Sequence, residues 1–170
     1  MSPDPTQKLD ISHLFRERAA FEGSLSLALM SRISDMLEDD TGEIVYQIQF
    51  NKNDENWRLL DIRINTSLKL LCQRCLKPVV LDIERDSTLI VVATAKELKE
   101  IDGDFEPLVL EEAGDFTIQE LIQDELLLAL PSAPTCDMSV CEASDMLKKI
   151  SAEGKTNPFA VLESLKKKTN

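Results

Sequence analysis

Residues 57–72 constrain the fold more than any other part of the chain. Leu60, Ile62, Ile64, Thr66, Leu68 and Leu70 share one parity, and Asp61, Arg63, Asn65, Ser67 and Lys69 share the other. Successive side chains of a strand point to opposite faces, so this alternation puts one face on a core and the other in water. A helix would scatter the same charges around its circumference. Pro78 marks a turn, and residues 79–95 read as the return strand, so a long hairpin sits at the centre of the fold. The return pattern shifts near Asp86, from Val79, Leu81 and Ile83 to Leu89 and Val91 with Ile90 and Val92 between them. That shift predicts a bulge or a bend.

Shorter elements surround the hairpin. Ile44, Tyr46, Ile48 and Phe50 alternate with polar residues over 43–51, a half-buried strand. Residues 21–29, FEGSLSLAL, fit a strand; Leu29, Ile33, Met36 and Leu37 fit an adjoining or competing short helix. Residues 12–20 predict a short helix with Ser12 as N-cap. Residues 95–103 read as a short polar helix or loop and 106–110 as a further strand. Residues 115–130 predict a helix. Thr117 and Glu120 form its capping box, and Ile118, Leu121, Ile122, Leu126 and Ala129 form its apolar stripe. Pro131 and Pro134 stop it.

Residues 131–157 carry no sustained pattern. At 157–168, Asn157 suits an N-cap and Pro158 the first helical position. Phe159, Leu162 and Leu165 recur every three residues, and Lys166, Lys167 and Lys168 sit where a helix end favours cations. The expectation is an α+β protein. Its sheet is antiparallel, with barrel-like closure as an option, and is built on the long hairpin with one packed helix. Residues 1–130 form the domain. Residues 131–170 form a loose extension ending in a short amphipathic basic helix at 157–168.

Charge narrows the function. The chain has 170 residues and a formal net charge of -12. Its overall field repels a nucleic-acid backbone and an anionic membrane, and favours a basic partner. The charge is uneven. Residues 97–125 hold 11 acids against Lys99, whereas residues 148–170 hold 6 bases and 2 acids. The acidic run, with Glu111, Glu112 and Asp115, reads either as a solvated face or as a docking surface for something cationic. The apolar stripe of the tail must bury against the body, a second copy or a partner groove.

One histidine, His13, leaves little room for triad chemistry, and a three-histidine zinc site is impossible. Glu111-Glu112 and Asp124-Glu125 are paired carboxylates with no accompanying phosphate loop, nucleophile elbow or aspartate metal motif. Aromatic content of 5% is too thin for a base-stacking platform. With no apolar run of membrane-spanning length and a polar start, the chain reads as cytoplasmic.

The cysteines are the remaining chemistry. Cys72-Gln73-Arg74-Cys75 lies at the hairpin turn, and Cys136 and Cys141 lie beyond the long helix. A CxxC at a hairpin tip brings two thiolates to one side, and a second pair could complete a four-thiolate zinc site. The second spacing, C-x4-C, is a weaker signal. The residues also allow four plain thiols, or a redox pair whose thiolate Arg74 and Lys77 stabilise, although reactive pairs usually sit at a helix N-terminus and this one lies in a hairpin.

Several segments together resemble one family, the large ribosomal RNA subunit accumulation proteins (YceD) of bacteria. They are LLCQRCLKPV at 70–79, GDFTIQELIQDELLLALP at 114–131, the cysteine region after it, and NPFAVLESLKKK at 157–168. The resemblance implies a role in synthesis, processing or stability of 23S ribosomal RNA, in the cytoplasm, and supplies no catalytic residue. The expected function is a non-enzymatic factor for the large subunit. It works through ribosomal proteins or assembly factors, with limited rRNA contact and no membrane or small-molecule substrate. Its candidate partner-binding residues are Arg74, Glu111, Glu112, Asp115, Phe159, Leu162, Leu165, Lys166, Lys167 and Lys168. Structural zinc at Cys72, Cys75, Cys136 and Cys141 is the one cofactor considered. The rival readings are a direct RNA-binding module using the CxRC hairpin and the lysine tail, and a thiol redox protein.

Overall fold

The computed structural model describes residues 4–94, 96–97, 106–110 and 117–152. Helix α1 (Ile11–Glu17) leads into strand β1 (Ala20–Ser26). Two single turns of 3-10 helix follow, at Leu27–Leu29 and Ser34–Met36. Then come β2 (Glu43–Lys52), β3 (Arg58–Leu71), β4 (Pro78–Val92), β5 (Glu106–Val109), α2 (Ile118–Ala129) and α3 (Ser144–Ala152).

The strands form one five-stranded sheet in the order β1-β2-β3-β4-β5. The first three pairings are antiparallel, as expected. The last corrects the expectation: β5 runs parallel to β4, pairing Leu89 with Glu106 through Val92 with Val109. Among the described residues the sheet is open, with β1 and β5 at its edges, and does not close into a barrel.

β3 and β4 pair without interruption from Arg58↔Val91 to Leu71↔Pro78, so there is no bulge near Asp86. Two side chains and a local cover explain the disturbed pattern. Arg85 and Ser87 stay on the inward parity, opposite Ile64 and Ile62, where both bond the carboxylate of Glu125. Further on, Ile90 and Val92 are buried as well as Leu89 and Val91, so that end of β4 is covered on both faces.

One face of the sheet carries the core. Ile44, Tyr46, Ile48 and Phe50 of β2 meet Leu60, Ile62, Ile64 and Leu68 of β3 there, each at most 2% exposed. α1 packs on β2 through Phe15, whose ring meets Phe50 edge-on at 5.1 Å; such a pair adds about 1 kcal/mol beyond its buried area. α2 packs on β3 and β4 with Ile118, Leu121, Ile122 and Leu126 buried as the stripe requires. The opposite face presents Gln47, Gln49, Arg63, Asn65, Ser67 and Lys69 to solvent. Gly23 pairs with Tyr46, and a Cβ there would come within 2.8 Å of the tyrosine hydroxyl. The strand needs a glycine because the core needs the tyrosine.

The helix ends follow side-chain chemistry. Thr117 caps α2, its hydroxyl accepting from the Glu120 amide at 3.1 Å and donating to the Glu120 carboxylate at 2.9 Å. The cap of α1 is Asp10 rather than Ser12, with the Asp10 carboxylate accepting from the His13 amide at 3.0 Å. The expected helix over 29–37 reduces to the two 3-10 turns. Among the described residues no helix is long and apolar enough to cross a membrane.

Beyond α2 the chain departs from the expectation of a patternless extension. Residues 134–141 lie against the β3–β4 turn, and α3 follows. Met146 and Ile150, four apart on α3, are both exposed. The expected tail helix at 157–168 lies outside the described residues, as do six of the eleven acids of the run at 97–125.

Candidate metal centre

The β3–β4 turn is built to present two thiols together. The Cys72 amide donates to the Lys77 carbonyl at 2.9 Å, and the Leu76 amide donates to the Cys72 carbonyl at 2.8 Å. Closing so tight a loop puts Leu76 in the left-handed region, at φ 58°, where a side chain with a Cβ is strained by about 1 kcal/mol. Cys72 lies on the inward parity of β3 after Leu68 and Leu70, and is fully buried.

The second pair arrives from the far end of α2. Pro131 and Pro134 end the helix direction, and the chain then docks on the turn. The Gln73 amide donates to the Pro134 carbonyl at 2.8 Å. The Cys136 amide donates to the Cys72 sulfur at 3.4 Å. A tight turn at 137–140 then brings the chain back. The Asp137 carboxylate accepts from the Ser139 amide at 2.7 Å, and the Val140 amide donates to the Asp137 carbonyl. This places Cys141, which is 3% exposed, beside Cys136. The Ser144 amide donates to the Cys141 carbonyl as α3 begins.

The four thiols, Cys72, Cys75, Cys136 and Cys141, are free, and their sulfurs all lie within 4.8 Å of one another. Cys136 stands 3.5 Å from Cys72 and 3.8 Å from Cys75, sulfur to sulfur. Tetrahedral zinc with bonds of about 2.3 Å needs sulfurs about 3.8 Å apart. The donor set and spacing therefore fit a closed four-thiolate site. The looser C-x4-C spacing is absorbed by the turn at 137–140.

The backbone also prepares the site for negative sulfur. The Cys136 amide, with those of Cys75 and Arg74, holds the Cys72 thiol far below its usual range, at about 5. Burial, with the neighbouring sulfurs, pushes the Cys136 thiol up to about 12. One thiolate is thus favoured and a second beside it is resisted.

The expected partner-binding residues divide. Arg74 joins the cluster: its guanidinium donates to the Cys136 carbonyl and to the Met138 sulfur. Lys77 lies 3.8 Å from the Glu142 carboxylate on the exposed rim. Glu111, Glu112, Asp115, Phe159, Leu162, Leu165, Lys166, Lys167 and Lys168 lie outside the described residues. Sequence reasoning passed over the carbonyls of Pro134 and Cys136 and the Met138 sulfur. No side-chain pattern announces a carbonyl, although the two prolines just before Cys136 do signal a chain held extended.

A second polar cluster sits under α2. Glu125, 2% exposed, accepts from the Arg85 guanidinium at 2.9 Å and from the Ser87 hydroxyl at 2.7 Å. Arg85 also reaches Glu106 on β5 at 2.9 Å. Every group in it has a partner, as a structural tie requires.

The comparisons with known proteins agree with one another. Residues 60–166 match the family model described as large ribosomal RNA subunit accumulation protein YceD. The protein of that name from Haemophilus influenzae is 26% identical over 159 residues, covering 90% of this chain and 91% of its own length. No solved structure matches the chain. The matched stretch holds β4, β5, α2, α3, nearly all of β3 and all four cysteines, and it exceeds half of the 170 residues; the chain belongs to the YceD family of large ribosomal RNA subunit accumulation proteins.

Proposed function

We propose that this chain is a non-enzymatic factor for the accumulation of 23S ribosomal RNA in the bacterial cytoplasm. It acts through contacts with proteins of the large subunit, and one structural zinc ion is held by Cys72, Cys75, Cys136 and Cys141. The observation that carries the rRNA role is the family match over residues 60–166.

The charge balance favours protein contacts. A chain at -12 repels an RNA backbone over its body, whereas proteins that bind rRNA are basic and are drawn to it. The acidic run with Glu111, Glu112 and Asp115 is the proposed docking surface. The tail, with Phe159, Leu162, Leu165 and Lys166–Lys168, is the proposed second contact.

The zinc reading rests on the mutual closeness of four buried or half-buried sulfurs. A redox pair needs two thiols, one of them reactive and reachable, and commonly sits at a helix N-terminus; here the CxxC closes a hairpin turn. The ion supplies folding energy, joining the hairpin tip to the chain beyond α2.

Affinity purification of the tagged chain, with and without ribonuclease, tests the protein-contact reading. Basic large-subunit proteins should remain bound after ribonuclease, and charge reversal at Glu111, Glu112 and Asp115 should weaken their capture. Loss of every large-subunit protein on ribonuclease treatment would overturn it in favour of direct RNA binding.

A further inference from the structure

We propose that Arg74 is a positioning residue for the metal site: it carries the Cys136 ligand to the hairpin and balances the charge of the thiolates. This rests on the reading of the four cysteines as zinc ligands.

Cys136 is the ligand that has to be delivered. It lies 64 residues from Cys72 in sequence, and its segment has left a helix and belongs to no strand. Three consecutive hairpin residues meet it. The Cys72 sulfur accepts from the Cys136 amide, the Gln73 amide donates to the Pro134 carbonyl, and the Arg74 guanidinium donates to the Cys136 carbonyl. The Cys136 backbone is therefore fixed at both ends, its amide by the sulfur of a fellow cysteine and its carbonyl by the Arg74 guanidinium. The other terminal nitrogen of Arg74 reaches the Met138 sulfur, so the guanidinium brackets the ligand and the turn that leads to Cys141.

Charge points the same way. Four thiolates around a divalent cation leave a surplus of negative charge in a buried place, and the chain as a whole is already acidic. Arg74 is the cation that the turn places between Cys72 and Cys75. Lys77 is directed to Glu142 on the rim instead. The Arg74 Nε is buried without a hydrogen-bond partner. A donor left this way is costly, and a nearby concentration of negative charge offsets that cost. The planar fork matters as well as the charge. Arginine donates in two directions from one rigid group, whereas lysine reaches as a single point. Partners that orient ligands commonly change metal affinity by about 10–100-fold when removed.

The experiment compares the full-length zinc-loaded protein with R74K and R74A. Zinc transfer to a chromogenic chelator gives affinity, and the visible spectrum after cobalt(II) substitution reports how many thiolates bind. The wild type should retain zinc and show a four-thiolate cobalt spectrum. R74A should release zinc about 10–100-fold more readily and lose thiolate-to-metal intensity. R74K should fall between, because it restores charge without the fork. A residue that only stabilised the fold would shift the unfolding midpoint and leave the cobalt spectrum intact. Zinc retention and a cobalt spectrum equal to wild type in R74A would overturn the proposal. If R74A fails to fold, equal retention and an equal spectrum in R74K do so. A wild type that binds no metal, with four titratable thiols, would instead overturn the cysteine reading beneath it.

Discussion

The sulfurs of Cys72 and Cys136 lie 3.5 Å apart across 64 residues of sequence. The Cys136 amide donates to that same Cys72 sulfur at 3.4 Å. Cys72 directly follows β3 on its inward parity, and Cys136 follows the prolines that end α2. Their meeting turns a loose extension into a second attachment of the chain to the sheet.

If zinc is held there as proposed, removing it should loosen one end of the molecule. A strong chelator should raise amide hydrogen exchange at Cys72, Leu76, Cys136 and Ser144, while amides of Gln49 and Asp61 stay protected by the ladder between β2 and β3. Exchange that rises equally in the central strands would mean that the metal holds the whole fold.

The turn should reveal its strain. Leu76 sits at φ 58° and is 69% exposed. Leu76→Val, β-branched at positive φ, should lower stability by about 1 kcal/mol. Leu76→Gly should match the wild type or exceed it, because relief of strain of about 1 kcal/mol outweighs or cancels the extra freedom of glycine in the unfolded chain. Urea unfolding midpoints give the order; a glycine variant less stable than the valine variant would contradict it.

Glu125 tests the polar tie under α2. With Glu125 at 2% exposure, Glu125→Ala removes the buried one of the two carboxylates that hold Arg85 and should cost about 3 kcal/mol. Replacing both, Glu125→Leu with Arg85→Met, should recover much of that loss, since apolar groups of similar size leave no uncompensated charge. A double variant as unstable as the sum of its single changes would show that the pair is not coupled.

Acid should reach the loop before β2 late. The Lys69 ammonium, 2.8 Å away, and the Thr41 hydroxyl hold the Asp39 carboxyl down at about 2. A lowered folded-state value means that the pair's contribution is present above the ordinary value of 3.8 and is lost as pH falls through about 2. Carboxyl resonances followed by NMR should give Asp39 a midpoint near that value, rising in Lys69→Ala. An unchanged midpoint in the variant would remove Lys69 as the cause.

What could be read from sequence follows from how strongly each residue's neighbours are fixed locally. β3 was legible because Leu60 to Leu70 meet a core on one side and water on the other, with no exception to the alternation. β4 was not, because Arg85 and Ser87 face inward and find Glu125 on a helix about forty residues later, a partner that no local pattern reveals. β5 was found as a strand but not as a parallel one, since four residues carry no information on direction. α3 is not legible although Met146 and Ile150 have helical spacing, because the pattern-free residues around so short a helix dilute its signal. In the site, the CxxC turn was legible, and so was the choice of the four cysteines. The bonds that bring Cys136 to Cys72 run through backbone carbonyls and an arginine fork, and sequence spacing does not contain them.

The central claim is that these four sulfurs are one closed zinc site. X-ray absorption on the full chain purified without added zinc, with its metal content, tests it most directly. The expected result is one zinc per chain with four sulfur neighbours at about 2.3 Å and no lighter neighbour. A metal-free protein with four reactive thiols, or a zinc shell holding fewer than four sulfurs, would contradict it.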